Sequence, residues 1–396
     1  MHYNVNRPLH ILTLSTLFPA YPRPNFGIFV ERQTAALAAL PDFDVTAINP
    51  VGSAPWPLSL SANQRVIAKL PPQENWRGLD VHRPQFTAIP KIGGRLNPAM
   101  IGRAVLPLAR RLHAEQPFDL IDAEFFYPDG PAAMRLSQTL GIPFTVKARG
   151  ADIHHWGRSP ACKKQLLQAA DKAAGLLAVS GALKADMVAL GIDENKIMVH
   201  YTGLDQSRFA PLDRAEEKAK LGVTGPIILC VGALIPRKNQ ALLIEALRPL
   251  PGAILILAGH GPAESDYRAL ATKLGVAERV RFIGSVAHDE LPPLYAAADI
   301  MALVSESEGL ANAWVEALAC GTPIIASDVG GIRELITSPD AGRIVERNPA
   351  AIAASIAELL ANPPSRVTVA ATVSAFSWDE NAKQLAAFFR KIIHRQ

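Results

Sequence analysis

Two carboxylates, Glu308 and Glu316, stand with seven residues between them in the stretch SESEGLANAWVEALACGTP, in a chain only 19% of whose residues are charged. One apolar run, DIMALV, precedes them and another, TPIIAS, follows. An apolar run, a small polar turn and then NAWVEALAC predict a strand, a loop and a helix, with Asn312 as the helix N-cap. Backbone amides at Leu310, Ala311 and Asn312 then lack partners within the helix and point outward, which suits an anion. Glu308 ahead of the turn and Glu316 past the first helical turn are expected to look into the same corner of a cleft. A nucleotide sugar presents a diphosphate flanked by two hydroxyl-rich rings, and two carboxylates flanking an amide nest match that layout. Taken singly, Glu316 is equally explained by the helix dipole and Glu308 as a solvated turn residue. A pair of cations at the same sheet edge favours the site.

Those cations are Arg237 and Lys238 of IPRKNQALLIEAL, between the run PIILCVGAL and a helix, a setting that suits a diphosphate. In LAGHGP, Gly259 and Gly261 let backbone approach a ligand or simply turn the chain, and His260 reads as a solvated loop residue. In the first half, PAYPRPNFGIFVERQ places Gly27 ahead of a helix, where backbone can close over phosphate. TVKARGADIHHW ends a strand with Lys147, Arg149, Asp152, His154 and His155. Asp152 is read as a carboxylate of the reacting site and a polar wall of the acceptor pocket, with helix capping as the alternative. Arg149 and His154 are assigned to that pocket, as are Tyr127 and Asp129 of FFYPDGPAA, a similar loop after a strand.

No metal is expected. Adjacent histidines are poor joint ligands, no third partner is spaced to help them, and the Asp42, Asp44 pair precedes a strand rather than following one. The chain also lacks a G-x-G-x-x-G loop after a strand, a Walker A loop and a G-x-S-x-G elbow.

The elements that must position these residues are legible in the second half. PIILCVGAL, AILILAGHG, VRFIGSV, DIMALVS, TPIIASD and AGRIV alternate with helical stretches such as NQALLIEALRPL and ESDYRALATKLGV. Strands alternating with helices imply a parallel, doubly wound sheet, and continuous apolar runs suit strands covered on both faces. The first half repeats the theme at LHILTLSTLF, FDVTAINP, DLIDAEF, PFTVKARG and LLAVSG, with an irregular Pro-containing insertion from Gly52 to Asn97. The expected architecture is α/β, two doubly wound Rossmann-like domains facing across a cleft: residues 1–205, residues 206–375, and a C-terminal helix, 376–396, packing back toward the first domain. Ligands of such sheets bind beyond the carboxyl ends of the strands, where strand order reverses.

Composition narrows the classes. At 396 residues the chain is long enough for two cores. Cys162, Cys230 and Cys320 form no C-x-x-C pair, which points to a reducing compartment. The opening MHYNVNRPLHILTLSTLF imitates a signal peptide but reads better as a first strand. No apolar run is long enough to span a membrane. The net charge of +4 divides into +5 up to Asp205 and −1 after it. The basic excess, including Arg103, Arg110, Arg111 and His113, allows contact with an anionic membrane surface or is a solvated helix face, and it is too modest for nucleic acid.

EGLANAWVEALACGTPIIASDVGGIREL resembles the glutamate, seven residues, glutamate signature of family 4 retaining glycosyltransferases of the GT-B fold, the glycosyl transferases group 1. VGALIPRKNQALLIEAL, LAGHGP, VRFIGSV, TGLDQSRFAP and FSWDENAKQLAAFF match in the family's order, so the resemblance spans the chain and is loosest between residues 50 and 120. It implies that Glu308 lies near the donor sugar and leaving phosphate, that Glu316 takes the ribose hydroxyls, and that Lys238 binds the diphosphate. Leu310, Ala311 and Asn312 look like the phosphate-binding amides, and Gly27, Gly232, Gly261 and Val286 fall in the donor-binding set. Arg149 to Asp152 fall where many members carry a His-Gly-x-Asp segment. Many members also have an arginine directly after Gly232; this chain has Ala233, and Arg237 is the substitute charge. The implied activity is metal-independent and cofactor-free sugar transfer from a nucleoside diphosphate to a hydroxyl of a glycan or lipid-linked saccharide. The implied setting is polysaccharide or cell-envelope synthesis in the cytoplasm, compatible with the inner face of the membrane. Two rivals remain at this point: a two-lobed periplasmic-type binding protein and a glycan phosphorylase.

Overall fold

A computed structural model describes residues 7–21, 23–89 and 93–394. Residues 1–6, which open the signal-like stretch, and 90–92 of the insertion lie outside them. The chain divides into two compact units: residues up to Gly203 together with those from Trp378 onward, and Leu204–Ser377.

The first unit holds β1 (Leu9–Leu14), β2 (Phe43–Ile48), β3 (Val51–Ser53), β4 (Gln73–Trp76), β5 (Leu79–His82), β6 (Gln85–Thr87), β7 (Leu120–Ala123), β8 (Phe144–Ala148), β9 (Gly175–Ala178) and β10 (Ile197–Val199). Eight of them form one sheet in the order β10-β9-β8-β7-β1-β2-β5-β4, while β3 and β6 pair separately. All the pairs of the large sheet are parallel except β4 with β5. The insertion from Gly52 to Asn97 is therefore not irregular throughout: β5 and β4 extend the sheet. Both are four-residue strands carrying charged or polar side chains, Asp80 and Glu74 among them, so neither shows the apolar run that marks a central strand.

The last helix, Trp378–Ile393, belongs to this unit. Leu385, Ala386, Phe389, Ile392 and Ile393 pack with Ile11, Leu37, Phe43, Leu120 and Leu177 in one buried cluster.

The second unit is a six-stranded parallel sheet of β11 (Ile227–Val231), β12 (Ile254–Ala258), β13 (Val280–Gly284), β14 (Ile300–Leu303), β15 (Ile324–Ser327) and β16 (Gly342–Val345), in the order β13-β12-β11-β14-β15-β16. These are the six apolar runs read from the sequence. Every residue of β14 and β15 is buried, as strands covered on both faces require. Strand order reverses between β11 and β14, which pair at Ile228 with Ile300 and Leu229 with Met301. The loops that follow these two strands therefore leave the sheet side by side.

Candidate active site

The loop after β11 carries Arg237 and Lys238 on a turn of 3-10 helix, Pro236–Lys238, and the loop after β14 carries Glu308. Lys238 Nζ donates to Glu308 Oε1 at 2.6 Å, and Arg237 lies 3.5 Å from the same oxygen. Arg237 also donates to the carbonyl of Ser307, and the amide of Glu306 donates to the carbonyl of Arg237 at 2.8 Å. The two loops are thus stitched together, and they hold two cations against one carboxylate. The cluster keeps one surplus positive charge with only about a tenth of the Lys238 and Glu308 side chains exposed. Partial burial strengthens each of these interactions over its value in water.

The helix Asn312–Ala319 starts four residues after Glu308, and its N-cap is Ala311, not Asn312. Ala311 has the extended backbone of an N-cap, and Asn312 already lies in the helix, so no side chain caps this end. As a result, among the described residues, no protein acceptor meets the amides of Leu310, Ala311 and Asn312. Uncapped amides and two cations converge on one end of β14, an arrangement that binds a polyanion.

Glycines let the neighbouring loops approach. A Cβ on Gly261 would sit 2.1 Å from the carbonyl oxygen of Leu234, and Gly232 holds a positive φ of 154° that side chains rarely adopt. Val286 is half-buried on the loop after β13. The carbonyl of Ala233 accepts from Gln240 Nε2 at 2.9 Å.

Glu316 has partners that the sequence reading did not supply. His288 Nε2 meets Oε1 at 2.9 Å, and the Tyr295 hydroxyl donates to Oε2 at 2.8 Å. The two glutamates of the signature therefore have separate partner sets: Glu308 sits among cations, and Glu316 is fixed by a ring nitrogen and a phenol. Burial, and then the adjacent Glu316 charge, push the Tyr295 phenol well above its ordinary range, so it remains a donor.

In the first unit the candidate residues separate into two groups. Gly27 adopts a left-handed φ of 72° as N-cap of the helix Ile28–Ala38, and a Cβ there would lie 2.4 Å from the carbonyl carbon of Leu17. Arg149 donates through Nε to the Glu124 carbonyl at 2.8 Å and through NH2 to the Glu124 carboxylate, with its guanidinium 4.5 Å over the Phe29 ring. Behind them runs a buried polar chain. Gln33 bridges Glu124 to Lys147 Nζ, the latter at 2.5 Å. Lys147 Nζ lies 2.8 Å from His200 Nδ1, and His200 Nε2 lies 2.9 Å from the Asn381 carbonyl of the last helix. Burial raises the Glu124 carboxyl, but the Arg149 and Lys147 charges outweigh it and hold the group at about 2. Burial lowers Lys147 to about 7 and, with the Lys147 charge, lowers His200 to about 3.

Three assignments to the reacting site or acceptor pocket are corrected. Asp152 is fully buried, and its carboxylate accepts the amides of Phe126 and Gly150 at 2.8 Å and of Arg149 and Ile153 at 3.1 Å. It caps a turn and presents no surface to a substrate. Tyr127 is buried, its hydroxyl bonded to the Gly94 carbonyl at 2.9 Å and its ring against Trp156. Asp129 is also fully buried, accepting the Thr16 amide at 2.8 Å. It ties the loop after β1 to the loop after β7, across the point where this sheet reverses its order. His154 stays near the surface, 2.9 Å from Asp186.

Comparison with known proteins identifies the family and the fold. Residues 213–375 match the model of glycosyl transferases group 1, and residues 27–203 match that of a glycosyl transferase 4-like domain. The chain is 29% identical over 395 residues to TuaC of Bacillus subtilis (strain 168), a glycosyltransferase assigned to teichuronic acid biosynthesis, covering 95% of this chain and 97% of that one. It is 36% identical over 209 residues to a GDP-mannose-dependent phosphatidylinositol monomannoside mannosyltransferase of Mycobacterium tuberculosis, a match spanning 48% of this chain and 54% of the relative. Among solved structures, sucrose-phosphate synthase of Thermosynechococcus elongatus aligns with a TM-score of 0.83 at 22% identity, over 98% of this chain and all of the other. HepE of Anabaena, solved with UDP and glucose, aligns at 0.74 and 22% identity over 96% and 99% of the two chains. These two likenesses speak to the fold. The periplasmic binding protein and phosphorylase readings are not favoured. With both of its units matched, the chain belongs to the glycosyl transferases group 1, has the GT-B fold and is a glycosyltransferase.

Proposed function

We propose that the enzyme moves a sugar from a nucleoside diphosphate sugar to a hydroxyl acceptor, with retention at the anomeric carbon. The observation that carries this reading is the placement of Lys238 and Arg237 on Glu308, beside the uncapped amides of Leu310 to Asn312. Charge develops on the diphosphate as the sugar leaves, and donors fixed in advance stabilise that charge without reorganising. Lys238, Arg237 and the amides are the electrophilic partners, Glu308 orients Lys238 and faces the donor sugar, and Glu316 takes the ribose hydroxyls. No protein nucleophile is assigned, since the resemblance implies reaction on one face assisted by the leaving phosphate. The mannosyltransferase relative uses a nucleoside diphosphate sugar, which supports the donor class.

The test is incubation with UDP-, GDP- and ADP-sugars in EDTA, reading release of the nucleoside diphosphate and, by proton NMR, the configuration of the first sugar product. Release of one nucleotide with a retained anomer supports the proposal. Turnover only with added divalent metal, or an inverted product, contradicts it.

The acceptor reading is a saccharide or lipid-linked saccharide at an anionic membrane surface. Two features of the first unit support it. Its residues include 25 Lys and Arg against 17 Asp and Glu, whereas the second unit has 15 against 19. Trp56, Leu58 and Leu60, at alternate positions, are exposed, Trp56 at 79%. The basic helix Asn97–Glu115 carries Arg103, Arg110 and Arg111 exposed with no large apolar side chain exposed in the helix beside them, so it is a solvated face and residues 56–60 are the candidate contact. No helix of the described residues is long and apolar enough to cross a membrane. Co-sedimentation with vesicles containing anionic lipid, lost in Trp56→Ser, is the expected result. Equal recovery with neutral and anionic vesicles would overturn it.

A further inference from the structure

We infer that His288 and Tyr295 are positioning residues for donor binding, holding the Glu316 carboxylate in the orientation in which it accepts a ribose diol. The inference rests on the reading of Glu316 as the ribose partner. It adds two residues that neither the signature nor the alternation of strands and helices singles out.

The geometry is specific. Each oxygen of Glu316 receives one partner, Oε1 from His288 Nε2 at 2.9 Å and Oε2 from the Tyr295 hydroxyl at 2.8 Å. An ionised carboxylate offers about four lone-pair sites, so one remains on each oxygen. Two acceptors fixed side by side are what the adjacent hydroxyls of a ribose require. The last torsion of a glutamate is broad and roughly two-fold, so an unanchored carboxylate would have to be immobilised as the nucleotide binds. His288 and Tyr295 remove that cost beforehand.

A purely structural role explains less. Tyr295 is wholly buried, where packing alone would be met by phenylalanine, and Glu316 is 8% exposed, where a carboxylate carries a desolvation cost that an apolar residue avoids. The anchors are themselves anchored. Phe209, 2% exposed, places its ring 5.1 Å from the ring of His288 and 6.3 Å from that of Tyr295. Beside it, Arg208 pairs with Asp289 at 2.5 Å, tying the segment that carries Phe209 to the turn that carries His288.

The experiment compares ribose with its diol removed. Dissociation constants are measured by calorimetry for UDP, GDP and ADP and for their 2′,3′-dideoxy forms, on wild type, Glu316→Gln, Tyr295→Phe and His288→Gln, with thermal melts confirming the fold of each. Wild type should prefer the ribose form of its nucleotide by roughly tenfold or more, given the strength of hydrogen bonds to a charged group. Glu316→Gln should lose most of that preference. Tyr295→Phe and His288→Gln should each cut it several-fold while binding the dideoxy nucleotide as wild type does. If both variants keep the full preference, or lose affinity equally for both forms, the positioning role is wrong even though Glu316 binds ribose. If wild type shows no preference for ribose, or Glu316→Gln keeps it, the reading of Glu316 fails and the positioning role with it.

Discussion

Lys238 Nζ and Glu308 Oε1 lie 2.6 Å apart, joining loops that leave two strands at the point where the second sheet reverses its order. Seventy positions separate the two residues in sequence, yet pairing of β11 with β14 makes them neighbours.

The first prediction concerns this pair. Lys238→Ala and Glu308→Ala should each lower kcat by about a hundredfold or more, the scale of losing one preorganised electrostatic group. The well-folded variants should still give a cooperative melt, because Arg237 remains beside Glu308 in one and Ser307 in the other. Unchanged kinetics in a folded variant would remove that residue from the mechanism.

Gly330 supports the same loop from below. Its φ is +54°, and a Cβ there would lie 2.4 Å from the carbonyl oxygen of Gly309 and 2.5 Å from that of Glu308. Gly330→Ala should therefore displace the loop, raising the donor KM and lowering Tm by several degrees. A variant with wild-type KM and Tm would mean that the loop tolerates the shift.

Asp152 is predicted to matter for stability rather than chemistry. Asp152→Ala leaves the amides of Phe126, Arg149 and Gly150 without their acceptor, while that of Ile153 keeps the Gly150 carbonyl, and each buried unsatisfied group costs on the order of 1–3 kcal/mol. Tm should fall sharply, while the kcat of the folded fraction falls far less than in Glu308→Ala. A large loss of kcat with Tm unchanged would return Asp152 to the reacting site.

Asp129 gives a pH signature. Burial raises its carboxyl from 3.8 to about 8, so between those values the folded chain keeps a proton that the unfolded chain releases. Raising the pH through this window favours unfolding, and the group's contribution is fully present only below about 4. Asp129→Asn cannot ionise and retains an acceptor for the Thr16 amide. Its Tm should match wild type at about pH 3.5, below the unfolded carboxyl's range, and exceed it increasingly toward pH 8. A constant difference across that range would show that Asp129 does not carry the proton.

The second sheet was readable because its strands are apolar runs, continuous and fully buried in β14 and β15, and all six runs are strands. The edge strand β4 and its neighbour β5 were missed because both are short and carry Glu74 and Asp80. Within the site, Glu308, Lys238 and the amides were legible as post-strand residues at one sheet edge. His288 and Tyr295 were not, since they reach Glu316 from a separate helical segment, and no local spacing reports that approach. Asp152 misled for a related reason: a carboxylate in a loop after a strand looks the same in sequence whether it faces a ligand or caps a turn. The buried chain through Lys147 did leave a trace. Asp122 in β7 with Glu124 just past it, and Lys147 in β8 with Arg149 just past it, are each two residues apart, the spacing that places side chains on one side of an extended chain.

The measurement that bears most directly on the donor site is a thermal-shift titration of wild type and Lys238→Ala with UDP, GDP and ADP in EDTA. A ligand at 100 times its Kd adds about 2.7 kcal/mol of stability, enough to raise Tm clearly. One nucleotide should stabilise wild type without metal, and the shift should be lost or much reduced in Lys238→Ala. Failure of all three nucleotides to shift wild type, or an equal shift in the variant, would contradict a diphosphate site at Lys238 and Glu308.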